Sequence, residues 1–471
     1  MTPRRRFARA SIALAVCLLL TPVVADAVTG PGESELGPGT VTQAADGETV
    51  VSVQGWVIDG ETSVKKPARL VAADPRARTE WVYDGDGASW FYDVDPLPNG
   101  NLLVVSPDRN GTLVYELDPE SRERVWSRRL PIRDTHDVDR LSDGRLVVAA
   151  MRESDGQTSR DRVFVYDPTT NETTWEWYFR DHFSAETDGG IDDDWTHVND
   201  VDPIGDGRLL LSPRNFDQVL VVDRTTGDIV MRLGSDNRYD TLAEQHNPDY
   251  LVSDEGTPTI LVADSGNDRV VEYAYEDRET SETSQADGEA VDGEWVRVWS
   301  LEGSLNWPRD ADRLPNGNTL ITDSLNHRVI EVTPEGEVVW EYYATWGPYD
   351  AERVAHGDGS HGPTMRDLGV SGTYAVSGGA GIAPGGRDDI PTVLRRTAAG
   401  TPLDGPADAL ATRWAHVVPW IRPVWLSGRA LASGLVAGLV LLGWGLVEAV
   451  VARHRIAGGL RAALGSLTGS S

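Results

Sequence analysis

The chain has 471 residues and a formal net charge of −31, with 74 Asp and Glu against 43 Lys and Arg, of which only Lys65 and Lys66 are lysines. That balance argues against nucleic acid as a partner, and an acidic, lysine-poor surface fits a protein that stays hydrated in concentrated salt, so a halophilic source is expected. The only cysteine, Cys17, excludes an intrachain disulfide, a CxxC metal site and a cysteine nucleophile in the soluble part of the chain.

The N-terminus reads MTPRRRFARASIALAVCLLLTPVVADAV. Arginines precede an apolar run from Ile12 to Val24, and Ala25-Asp26-Ala27 offers a small-x-small cleavage pattern, so residues 1–28 are expected to be a signal peptide or N-terminal membrane anchor. Arg4-Arg5-Arg6-Phe7 loosely resembles a twin-arginine signal.

Repeats follow. DVDPLPNGNLLVVS from Asp93, DVDRLSDGRLVVAA from Asp137, DVDPIGDGRLLLS from Asp200, DYLVSDEGTPTILVADS from Asp249 and DADRLPNGNTLITDS from Asp310 start 44 to 63 residues apart. In each, an apolar strand leads through an NG, DG or EG turn to a second strand, then to a third and a Trp-rich fourth. TVVSVQGWVIDG with ARLVAADPRARTEWVY supplies a sixth unit. The expected fold is all-β, a six-bladed β-propeller of four-stranded antiparallel blades over residues 47–346. The acidic residues of the repeat are expected at strand entrances and turns, with Asp200 and Asp202 capping a strand. The runs such as Asp192 to Asp194 are expected to be solvated surface, and TSETSQADGEAVDG from Thr280 a polar loop.

Beyond the repeats, residues 347–425 are rich in Gly and Pro and read as a juxtamembrane linker. Residues 430–452 are long and apolar enough for a transmembrane helix, with Trp414, Trp420 and Trp425 before it suited to an interface, and 453–471 would form a cytoplasmic tail. An export signal at the N-terminus then puts the propeller outside the cell membrane. There Asn110-Gly111-Thr112 and Asn171-Glu172-Thr173 would be accessible glycosylation sequons.

Histidine and arginine stand at positions the repeat does not require. Aligning the units on their shared Asp places His136 one residue before it, His197 and His246 three before it, and Arg309 one before it. Arg214 follows the second strand of its unit and Arg152 holds the matching place one blade earlier. Equivalent positions of a propeller lie on one rim, so these residues should converge. Neutral His with cationic Arg, without Cys and without a His-carboxylate set at ligand spacing, suits an oxyanion better than zinc, and no metal is assigned. A histidine among cations has its pKa lowered and can act as a nucleophile, which points to transfer of an anionic phosphoryl or sulfuryl group. No GxxxxGK[ST] phosphate loop is present for a nucleotide donor.

WTHVND, LLSPRNFDQV, EQHNPDYL with ILVADSGNDRVVEY, and THDVDRL together resemble the arylsulfate sulfotransferase family over about Asp93 to Tyr343. The resemblance implies an exported six-bladed propeller that transfers a sulfuryl group from an aryl sulfate to a phenol without nucleotide or cofactor. It implies that His246, in its QH context, is transiently sulfated, and that His136, His197 and Arg214 bind the sulfate; Arg152 and Arg309 are additional candidates from the repeat alignment alone. The chain lacks the disulfide of some members, adds the C-terminal span, and carries NPDY after the QH motif.

Two other classes fit parts of the chain. SLNHRVIEV and SGNDRVVEY share an xxNxRVxE pattern found in NHL-like scaffold propellers, which would bind without turnover. The many aspartates would fit a calcium-dependent lactonase-like hydrolase, although blade structure alone would also place an Asp at each repeat.

Overall fold

The computed structural model describes residues 3–29, 36–57, 64–85, 90–108, 111–276, 294–379, 390–423 and 425–468. Contacts divide the chain into two units, 34–386 and a second formed by 1–33 with 387–471.

The first unit is a six-bladed β-propeller of antiparallel sheets. Blades 2, 3 and 4 are each one sequence repeat, with innermost strands Val94–Pro96, Val138–Arg140 and Val198–Pro203. Blade 5 opens on His246–Val252 and gains a parallel outer strand, Gly372–Ala375; blade 6 opens on Pro308–Arg313 and gains Gly37–Val41 as its outermost strand. Second strands such as Leu146–Ala150 are buried at every residue because both faces meet neighbouring blades. Outer strands such as Glu123–Leu130 alternate and carry arginines, which discourages pairing with another chain. Between blades 3 and 4, Trp177, Phe179, Trp195 and Phe216 form a buried aromatic wedge.

Blade 1 shows how the ring closes. Thr49–Val53, Arg69–Ala73 and Thr79–Tyr83 come from the sixth sequence unit, but the innermost strand is Pro348–Arg353, paired antiparallel with Thr49–Val53. The segment 347–425 is therefore no plain linker. It begins with the strand that fastens the two ends of the propeller, and later carries Gly372–Ala375 and the helices Ile390–Ala398 (α2) and Asp404–Ile421 (α3). Arg353 locks the closure from within, donating to Thr49 at 2.7 Å and pairing with Glu331 of blade 6 at 2.8 Å.

The xxNxRVxE pattern has a structural cause. In blade 5 the Asp264 carboxylate accepts from Asn267 at 2.8 Å and from Arg269 at 2.6 Å, and in blade 6 Asp323 accepts from Asn326 and Arg328, both at 2.8 Å. These bonds pin a 3-10 turn, Ser265–Asn267 or Ser324–Asn326, between the second and third strands. Arg214–Phe216 is the same corner in blade 4.

The aspartates of the repeat do not sit at turns. They line the propeller axis, Asp93 and Asp137 at the entrances of the innermost strands and Asp200 and Asp310 on them, with Asp95, Asp139, Asp202 and Asp312 one pleat further along. Asp200 and Asp202 thus face the channel from inside Val198–Pro203 rather than cap it. The sequence reading failed here because a residue at the start of every repeat serves a cap and an inner strand equally well.

In the second unit, Pro3–Thr29 (α1) and Gly428–Thr468 (α3's successor, α4) run antiparallel. Glu448 is paired with Arg5 at 2.8 Å and accepts from Arg9 Nε at 2.7 Å, Ser433 donates to the Leu19 carbonyl, and the Ser427 amide donates to Asp26 at 2.8 Å. Arg5–Val28 and Gly428–Arg453 are long and apolar enough to cross a membrane. Asn171 is exposed, whereas Asn110 and the Thr280 segment up to residue 293 lie outside the described residues.

Candidate active site

The inner strands all reach one end of the axis with their entrance residues. One residue before the shared Asp stand Tyr92, His136, Asn199, Pro248, Arg309 and Tyr349; three before it stand Trp90, Asp134, His197, His246, Trp307 and Gly347. β-bulges between Val198 and Val201, His246 and Asp249, and Pro308 and Asp310 break the ladder at this entrance and re-aim its side chains. His197 itself takes a left-handed φ of 41° and Asn247 one of 33°, backbone that costs energy and that the surrounding packing must hold.

The three candidate histidines converge. The His136 and His197 rings meet edge to face at 4.9 Å, and His246 lies 6.0 Å from the Tyr349 ring that His136 also contacts at 5.2 Å. All three are buried, at 4, 4 and 1 % exposure. Each is anchored through Nδ1. His136 Nδ1 is 2.7 Å from the Tyr349 hydroxyl, and the ring lies against Tyr92 at 3.7 Å. His197 Nδ1 is 2.7 Å from the Asp194 carboxylate. His246 Nδ1 is 3.0 Å from the Glu244 carbonyl and 2.8 Å from Ser265 Oγ, whose own hydroxyl reaches the Pro308 carbonyl.

Those partners set the tautomers. A carbonyl oxygen only accepts, so His246 Nδ1 carries the proton and Nε2 keeps its lone pair. Asp194 likewise fixes the His197 proton on Nδ1. The Nε2 atoms of His136 and His197 are buried without a hydrogen-bond partner among the described residues, two polar atoms that could donate to a bound oxyanion once they carry a proton.

Burial holds all three rings below the ordinary histidine range, His197 down to about 3. For His246 the cations Arg309 and Arg214 add to burial, and for His197 Arg214 does so while Asp194 opposes it.

The arginines divide by environment. Arg214, at the corner that Ser265 and Ser324 occupy in the next blades, is partly exposed, and its Nε and Nη2 are held by Asn215 Oδ1 at 3.0 and 2.9 Å. Arg309 is buried, lies 4.9 Å over the Tyr349 ring, and has its pKa pushed down to about 10 by burial. Arg152 pairs with Asp134 at 2.7 Å and Asp194 at 2.8 Å, so it orients the carboxylate behind His197.

Sequence reasoning missed four members. Asp194 was assigned to solvated surface with its neighbours, and Asp192 and Asp193 are indeed exposed, but Asp194 turns inward to His197. Tyr92 stands in the His136 and Arg309 register and the repeat alignment could have found it. Tyr349 lies in the closing strand, and Ser265 was hidden inside a turn motif.

A sequence profile of the arylsulfotransferase (ASST) family matches residues 43–286, more than half of the chain. The chain belongs to the arylsulfotransferase family. The match takes in His136, His197, Arg214 and His246. No curated protein matches. Solved structures similar to this arylsulfotransferase-family chain include a protein of unknown function from Bacteroides caccae, 13% identical, covering 70% of this chain and 98% of that one at a TM-score of 0.42. They also include a putative 6-phosphogluconolactonase from Bacteroides fragilis (11% identical, 65% and 98% covered, TM-score 0.40). A virginiamycin B lyase from Staphylococcus aureus is 8% identical, with 67% and 86% covered and a TM-score of 0.38.

Proposed function

We propose that the chain transfers a sulfuryl group from an aryl sulfate to a phenol, with His246 as the group that carries it between the two. The observation behind this reading is the hydrogen-bonding of His246: Nδ1 is committed to the Glu244 carbonyl and Ser265, so a neutral ring offers Nε2 as a nucleophile. Nε2 attacks sulfur, the S–O bond to the aryl group breaks, and the phenolate leaves with that electron pair. Arg214 and Arg309 balance the charge on the sulfuryl oxygens, and His136 and His197 donate through Nε2 when protonated there. The oxygen of a phenol then attacks the sulfur, the Nε2–S bond breaks and returns its electron pair to His246, and the proton of the phenol passes through solvent to the phenolate released in the first half. Trp90 and Trp307, half-buried on the same rim as His197 and His246, offer faces for the aryl ring.

Brief incubation with an aryl sulfate and no acceptor, followed by acid-free peptide mass spectrometry, should find one sulfuryl adduct, on the peptide carrying His246. An adduct on His136 or His197 would reassign the nucleophile.

For topology, we infer that α1 stays attached as an anchor beside α4, with the propeller outside and residues 453–471 inside. The support is the pairing of Arg5 and Arg9 with Glu448, the one acidic residue of the 430–452 apolar run, which without them would place an unpaired charge against lipid. Intact-mass analysis of the membrane-extracted protein should retain residues 1–28, and protease added to intact cells should remove the propeller. A mature N-terminus near residue 28, or a propeller that stays protected, would overturn this arrangement.

A further inference from the structure

Below the histidines the axis is a channel of carboxylates. Among the described residues eleven aspartates and Glu352 line a cavity of about 30 Å³, and none of its lining residues is Lys, Arg or His. That space holds about two water-sized occupants. Asp93, Asp200 and Asp312 are only 8, 5 and 2 % exposed, yet the Oδ2 atom of each makes no hydrogen bond. Three carboxyl oxygens on deeply buried side chains, turned into one cavity without a donor, are acceptors that an occupant supplying positive charge would satisfy.

We propose that the channel binds a hard divalent cation of the calcium class, held by Asp95, Asp139 and Asp358, whose carboxylate oxygens all lie within 4.8 Å of one another. Oxygens around one ion at about 2.3–2.6 Å fall within that spacing, and an all-oxygen set without His or Cys selects calcium or magnesium over zinc or copper. This departs from the sequence reading, which assigned no metal.

The ion would act on the fold. Asp95 and Asp139 belong to the inner strands of blades 2 and 3, while Asp358 follows the closing strand of blade 1 in a loop that crosses the channel. That loop is bonded onward, Ser360 to Asp249 of blade 5 at 3.2 Å through its amide, and its hydroxyl to the Arg313 amide of blade 6 at 2.6 Å. One cation would thus join the strand that closes the ring to blades already linked across the axis.

The test uses the full chain in detergent, passed over a chelating resin and titrated with calcium chloride or with potassium chloride of matched ionic strength. Saturating calcium should raise the melting temperature by about 4–6 °C beyond the potassium control, as expected for a propeller of this length with the ion at about 100 to 1,000 times its Kd. Asp139→Asn should lose most of that shift, as should Asp358→Asn, which changes only an exposed loop position and keeps the inner strands intact. A calcium response no larger than that of potassium overturns the proposal. So does an Asp358→Asn chain that keeps the whole shift. If the channel is neutralised by protons alone, Asp139→Asn raises the melting temperature of the stripped chain while calcium does nothing, and that outcome overturns it as well.

Discussion

His246→Ala abolishes the burst of phenol that the wild-type chain releases when it is mixed rapidly with a chromogenic aryl sulfate and no acceptor. The expectation follows from where the lone pair sits. Glu244 and Ser265 engage Nδ1, so Nε2 is the available nucleophile, and no other group of the site has its lone pair both fixed and flanked by Arg309 and Arg214. With an alanine there, water has no comparable position and both half-reactions stop. Wild type should release about one phenol per chain in the burst, the stoichiometry of a covalent intermediate. Arg214→Ala should behave differently. It removes a cation from the transferring oxygens but leaves the nucleophile, so the burst keeps its amplitude and slows about 10²-fold or more. A burst that survives in His246→Ala would mean another side chain carries the sulfuryl group, and no burst in wild type would remove the covalent intermediate altogether.

Much of this site was legible because a propeller repeats. A histidine means little alone, but His136, His197 and His246 occupy entrance positions in consecutive blades, and equivalent positions on a ring must face one another. The functional side chains stand where the repeat departs from itself: Arg214 replaces the serine of Ser265 and Ser324 at the blade corner, and His246 takes the place of Trp90 and Trp307. What stayed hidden lacked such a comparison. The strand Pro348–Arg353 pairs with Thr49–Val53, nearly the whole propeller away in sequence, and the Asp358-Gly359 that follows leads to no adjoining second strand, so Tyr349 could not be placed. Asp194 sits in an acidic run whose other members are solvated, and only the left-handed backbone at His197 brings it to Nδ1. The axial carboxylates were visible as a pattern and misassigned, because the period of the repeat shows that a position recurs without showing which way it faces.

Donor binding should take up a proton, and Asp194→Asn should weaken it. In the free chain His197 is held down to about 3, chiefly by burial and then by Arg214, so at neutral pH its ring is uncharged with the proton on Nδ1 against Asp194. The lone pair on Nε2 then faces the space that sulfuryl oxygens would fill, and two acceptors repel. Binding an anion there favours a proton on Nε2, which raises the His197 pKa in the complex. The sign follows: affinity is full below the free-chain value of about 3, falls by at most tenfold per pH unit between there and the raised pKa of the complex, and is level above it. His246 must stay neutral meanwhile. Its pKa lies well below the usual value under burial, Arg309, Arg214 and His197, so the rate at saturating donor should stay flat from about pH 6 upward. The measurement is KM and kcat for a chromogenic aryl sulfate from pH 6 to 9, with KM rising and kcat level. Asp194→Asn removes the carboxylate that favours His197⁺ and that pairs with Arg152 at 2.8 Å and lies 3.9 Å from Arg214. It should lower kcat/KM about 10²-fold and move the residual activity toward acid. A merely structural role for Asp194 would lower the melting temperature and leave the shape of the KM profile unchanged. A KM that is level from pH 6 to 9 in wild type would mean that His197 binds the donor as a neutral ring, with Asp194 fixing its orientation and not its charge.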